Sequence, residues 1–157
     1  MRPPSNAALA VAPEGSIRRA ELRAVVGNVG GRSELVSRYH TSPLKLAKTF
    51  HEDVNGAKQL AVVQMDVSPG LLEGDDYVFD WRLQEGTWLY ATNQAYTRVH
   101  PCEGGGHARL TQRLALERDA VLEWMPEPIM LYRDARLECD TEIDLAEGAI
   151  CVMSAIV

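Results

Sequence analysis

The chain has 157 residues, enough for one domain and short for two. Sixteen Lys and Arg stand against 22 Asp and Glu, a net charge of −6 that argues against nucleic acid as the main partner, because phosphate contacts need clustered cations. The apolar fraction of 46% and charged fraction of 24% exclude disorder along the whole chain.

Residues 1–19 mix Pro3, Pro4, Pro13 and Gly15 with small residues and show no periodicity, so a loose N-terminal tail is expected there and a β domain over 20–157. The apolar stretch Ala7 to Ala12 is shorter than the core of a secretory signal. The longest charge-free apolar run, Ala149 to Val157, falls far below the roughly 20 residues of a membrane span. Three widely spaced cysteines, Cys102, Cys139 and Cys151, suggest neither a disulfide framework nor a zinc knuckle, and reduced thiols suit the cytoplasm.

From Ala20 the dominant signal is alternation, first in Leu22, Ala24 and Val26 and later in Phe79, Trp81 and Leu83. Glycine-bearing turns at Gly30-Gly31, Asn55-Gly56, Pro69-Gly70 and Gly104-Gly105-Gly106 cut the chain into short pieces, the pattern of antiparallel strands. A short helix is conceivable over Pro43 to Phe50. In the second half, Leu83-Gln-Glu-Gly86-Thr-Trp-Leu89 matches Leu116-Glu-Arg-Asp119-Ala-Val-Leu122 and Leu145-Ala-Glu-Gly148-Ala-Ile-Cys151, at spacings of 33 and 29 residues. Each unit is an alternating strand, a turn at a residue able to take positive φ, and a second apolar strand. The expected fold is all-β with little helix: stacked β-hairpins in a layered β-sandwich or β-helix-like body. The last unit has no following strand, so the body is expected to be cut short at its C-terminal end.

Candidate chemistry is sparse. The triglycine loop is followed by His107 rather than Lys-Ser or Lys-Thr, so no phosphate cradle of that type is present. His100, Cys102 and His107 could ligate a metal or decorate an exposed loop, and a metal-dependent hydrolase would draw on them. Glu123 interrupts the apolar strand Val121 to Met125; alternation turns it to water, whereas covering both faces would bury it as a paired acid. Glu127 lies between Pro126 and Pro128, Asp75 and Asp76 close a Gly-rich acidic loop, and Tyr90 to Val99 is rich in amides and hydroxyls.

These segments, in order, resemble the urease accessory protein UreD (UreH) family over roughly residues 33–157. The resemblance runs through Pro43-Leu44 with Lys45 and Phe50, Asp66 to Asp75, Gln94-Ala-Tyr-Thr-Arg98, Leu122-Glu-Trp-Met-Pro-Glu-Pro128, and Asp134-Ala-Arg136. It implies a non-enzymatic scaffold that acts with UreF, the GTPase UreG and apo-urease subunits to insert nickel, with no tightly bound cofactor. It further implies that Asp75, Glu123 and Glu127 lie on or near an acidic passage for transient nickel. Gln94, Thr97, Arg98, Trp124 and Pro126 would then support the surrounding sheet or a partner contact. Two departures stand out: Pro69 precedes Gly70 where the family's loop commonly opens with paired glycines, and family members are longer. The alternative is a β-sandwich protein-binding module with no metal role.

Overall fold

The computed structural model describes residues 17–54 and 56–157, so most of the expected tail and Asn55 of the Asn55-Gly56 turn lie outside the described residues. Twelve strands appear among them and no helix: β1 (Arg18–Val29), β2 (Arg32–His40), β3 (Leu44–Val54), β4 (Ala57–Asp66), β5 (Asp75–Leu83), β6 (Trp88–Asn93), β7 (Thr97–Val99), β8 (Ala108–Leu116), β9 (Val121–Trp124), β10 (Ile129–Leu131), β11 (Leu137–Leu145) and β12 (Ile150–Met153). Two five-stranded sheets, ordered β11-β8-β5-β1-β2 and β12-β9-β6-β4-β3, face each other, with a small β10-β7 pair beside them. The fold is all-β, as the alternation implies.

Two local expectations change. The segment considered for a short helix is strand β3: Leu44 and Leu46 point inward, and an irregularity between Leu46 and Thr49 breaks the period-two pattern, giving the apolar spacing a helical look. Among the described residues, antiparallel hairpins occur only at β1-β2 and β3-β4. The other named pairings between strands are parallel, and the two strands of each repeat unit lie in opposite sheets. Each unit is therefore an arch spanning the core, stacked in register on the next.

The register reproduces the sequence repeat. Leu83 pairs with Leu116 and Leu116 with Leu145 in one sheet, while Trp88 pairs with Val121 and Val121 with Ile150 in the other. The turns sit at Gly86, Asp119 and Gly148, with φ of 64°, 55° and 75°. A Cβ on Gly148 would lie 2.1 Å from Asp119 Oδ1, so stacking as well as backbone conformation requires glycine there. Along the stack, Glu117 N donates to Leu83 O at 2.9 Å and Val121 N to Thr87 O at 2.8 Å, so the arches satisfy one another's backbone groups. Near the turns the space between the sheets is filled by Val26, Leu83, Leu60, Leu89 and Leu122, all essentially inaccessible to solvent. Trp81 and Trp124 meet edge to face across it at 6.1 Å.

Candidate functional site

At the opposite end of the same strands the sheets leave a space between them. A cavity of about 450 Å3 opens there, walled by Tyr77 and Phe79 of β5, Gln112 of β8, Thr141 of β11, Gln64 of β4 and Asn93 of β6. Most of the wall is apolar, with Phe79, Leu110, Met153 and Ile156 among its residues, and a polar strip crosses it where the inward register changes character: Leu22 and Phe79 are followed across the sheet by Gln112 and Thr141, and Gln64 pairs with Asn93 in the facing sheet. Trp124 Nε1 donates to Gln112 Oε1 at 2.7 Å, and Gln112 Nε2 donates to Thr141 Oγ1 at 3.2 Å. Gln64 is only 6% exposed, yet its Oε1 has no hydrogen-bond partner. A buried acceptor without a partner, on the polar strip of this cavity, is a place for water or for the hydration shell of an ion.

A second recess, about 310 Å3, shares Ser68, Pro69, Gly70 and Tyr77 with the cavity and holds Arg18 and Asp75 on its far side. The Tyr77 hydroxyl lies 3.3 Å from Ser68 Oγ in this shared wall, and burial pushes its phenol up to about 12, so it stays protonated near neutral pH.

The three carboxylates expected along one passage fall in three different settings. Asp75 lines the second recess, and its oxygens accept from Arg18 Nε at 2.8 Å and Leu72 N at 2.7 Å, tying the loop before β5 to β1. Glu123 faces outward, opposite to Leu122 and Trp124, because β9 alternates; its Oε1 accepts from Trp88 Nε1 and Gln59 Nε2, both at 2.8 Å. Glu127 lines the cavity, as does Asp66 at the end of β4. Among the described residues no three His, Cys, Asp or Glu side chains gather closely enough to hold a metal ion. Gln94, Thr97, Arg98, Trp124 and Pro126 do converge, and all line the cavity.

The histidines and cysteine of the other candidate set are separately engaged. His100 Nε2 lies 3.2 Å from Pro69 O and its ring packs on Tyr132. Cys102 is buried with Sγ directed at the carbonyls of His100 and Arg136, and His107 pairs with Glu138 at 3.2 Å. The triglycine segment is latched rather than loose: Gly104 N and Gly106 N donate to the Glu73 carboxylate, whose ionisation these bonds favour, holding it below the ordinary value of 4.5. A Cβ on Gly104 or Gly106 would come within 2.8 Å or 2.6 Å of Glu73, so the latch depends on their missing side chains.

Sequence reasoning passed over Gln64, Asp66, Tyr77, Gln112 and Thr141. The signal for two of them was present, since Gln112 and Thr141 occupy the inward row of otherwise apolar alternating strands, at positions that pair with each other. Chemically, the cavity combines a largely apolar wall with amides, hydroxyls, the carboxylates of Asp66 and Glu127 and the guanidinium of Arg98; its oxygens are of the kind that hold a divalent cation loosely compared with thiolate or imidazole clusters.

A family model described as UreD urease accessory protein matches residues 18–157. Among curated proteins, the urease accessory protein UreD of Trichodesmium erythraeum (strain IMS101) is 34% identical over 131 residues, covering 83% of this chain and 47% of its own. That of Acetivibrio thermocellus is 30% identical over 142 residues, covering 90% and 52%, and that of Haemophilus influenzae (strain ATCC 51907) is 32% identical over 127 residues, covering 81% and 49%. The chain spans about half the length of these relatives.

Proposed function

The chain belongs to the UreD family of urease accessory proteins, and on that premise we propose that it serves urease maturation as a cytoplasmic, non-enzymatic scaffold. In this reading it acts with UreF, the GTPase UreG and apo-urease subunits, and Ni2+ is cargo passing through its interior. The observation that supports this most is the cavity with a buried, unpartnered Gln64 Oε1 in its wall. A cargo ion must be held and then released, and amide and hydroxyl oxygens with a few carboxylates do this where a closed thiolate or imidazole site would retain it.

The route we propose runs from the recess at Asp75, past the Tyr77 and Ser68 hydroxyls, along Gln64 and Gln112, and out by Glu127. Glu123 supports it from outside, fixing Trp88 and Gln59 on the outer surface of the second sheet. The test is co-expression with urease and its other accessory proteins, followed by nickel analysis of purified urease and pull-down of the complex. Glu127→Ala and Gln64→Leu are expected to lower the nickel content of urease while leaving the complex assembled. Unchanged nickel with both variants would overturn the route.

A protein-binding role without metal has its own support in Met130, Leu131 and Tyr132, which expose 41%, 45% and 41% of their surface around β10. It would be favoured if changes at these residues, and not those in the cavity, abolished activation through loss of the complex.

A further inference from the structure

Two inward rows of the first sheet reach the cavity. Tyr77, Leu110 and Cys139 pair in register in one row, and Phe79, Gln112 and Thr141 in the next. Ile129, Met153 and Ile156 add further apolar surface. The volume of about 450 Å3 falls within the roughly 300–1,000 Å3 of small-molecule sites, which are mostly apolar with a few placed polar groups.

Those polar groups are unevenly satisfied. Gln112 already accepts from Trp124 and donates to Thr141, and the Tyr77 hydroxyl has Ser68. Gln64, 6% exposed, keeps an Oε1 with no partner, so the polar strip lacks a donor. A water placed there wants about two to four polar partners, and the apolar part of the wall supplies none. A molecule that replaces the single bond to Gln64 and also covers the apolar wall displaces such a water at a gain. Asp66 and Glu127 stand against Arg98 among the charged lining residues, a balance that disfavours an anionic guest. Tyr77, Phe79, Tyr96 and Trp124 bring aromatic rings to the lining, and contact between rings adds to what buried area alone gives.

We propose that the cavity is a binding site for a small neutral aromatic molecule with one N–H or O–H donor. The donor goes to Gln64 Oε1, and the ring covers Phe79, Leu110, Met153 and Ile156. A guest seated there stands in the path suggested for the ion. The premise is the cavity and its unfilled acceptor, and nickel has no part in it, so the binding measurements and the nickel route succeed or fail separately.

Indole supplies the ring and the N–H, and benzofuran has the same shape with an ether oxygen in place of the N–H. Each is titrated by calorimetry into the intact chain without nickel. Cys139, an exposed thiol among the lining residues, is alkylated with iodoacetamide in the presence and absence of each probe. Indole is expected to bind with a Kd below about 1 mM, about tenfold more tightly than benzofuran, and to slow the alkylation of Cys139. Gln64→Leu and Gln64→Met both remove the acceptor, the second at nearly unchanged side-chain length. Each should bring the two probes to within about twofold of one another, with Cys139 still protected. No binding of indole, equal affinity of the unaltered chain for both probes, or a preference for indole that survives both substitutions would overturn the proposal. So would binding that leaves Cys139 as reactive as before.

Discussion

The two ends of the space between the sheets are made by the same strands and solved in opposite ways. Near the arch turns, Leu83, Leu89 and Leu122 meet with no solvent between them; six residues back along β5, Tyr77 faces a cavity bordered by Gln64, Gln112 and Thr141. The hydrogen-bonded ladders run continuously through both regions. What differs is a handful of inward positions that carry amides or hydroxyls in place of branched aliphatics. Packing the sheets together and leaving a cavity between them are thus separable properties of one scaffold.

The largest effects should come from the dry end. Trp81→Ala is expected to cost about 3–5 kcal/mol, and Leu89→Ala about 2–5 kcal/mol, because neither site can collapse between two hydrogen-bonded sheets. Urea unfolding measures both. Losses below about 1 kcal/mol would mean that this end is not the stabilising one.

At the border between the two regions, Trp124→Phe keeps the ring against Trp81 but leaves Gln112 Oε1 without its donor. The expected loss is about 1–3 kcal/mol by the same assay. At the cavity end, Gln64→Leu removes an acceptor that has no partner, so stability should be unchanged or slightly raised, within about 1 kcal/mol. A loss as large as that of Leu89→Ala would erase the distinction between the two ends. Tyr77→Phe deletes the hydroxyl that lies beside Ser68 between the two recesses and should change stability by less than about 1 kcal/mol while altering nickel transfer.

The smallest effect concerns pH. Glu73 is held below 4.5 in the folded chain, so its contribution is fully present above that value and is lost as pH falls through the lowered folded value. The protection of the Gly104 and Gly106 amides, relative to the intrinsic exchange rate at each pH, should therefore fall as pH drops below 4.5, and Glu73→Ala should lower that protection at neutral pH. Exchange that does not respond to the substitution would remove the latch.

Much of this architecture was legible in the sequence because alternation and turn chemistry are local. The repeat at Leu83, Leu116 and Leu145 reappears as pairing register, and Gly86, Asp119 and Gly148 take the positive φ their types suggest. The identity of the partner strand was not legible: a hairpin and an arch share the grammar of strand, turn and strand, and only contacts distant along the chain separate them. The same limit applies to the carboxylates. Alternation places Glu123 opposite Leu122 and Trp124, but the bonds from Trp88 and Gln59 that occupy it come from residues 35 and 64 positions away. The cavity combines residues of both sheets and several loops, so the inward Gln112 and Thr141 were visible singly while their enclosure with Gln64 was not.

In-register stacking has a metric consequence. Neighbouring strands of a sheet sit about 4.8 Å apart, so β5, β8 and β11, which wall the cavity from the first sheet, cover two steps, roughly 10 Å. The depth of the cavity is accordingly counted out in whole strands. A deeper or shallower interior would come from the number of arches, with each one keeping its own shape.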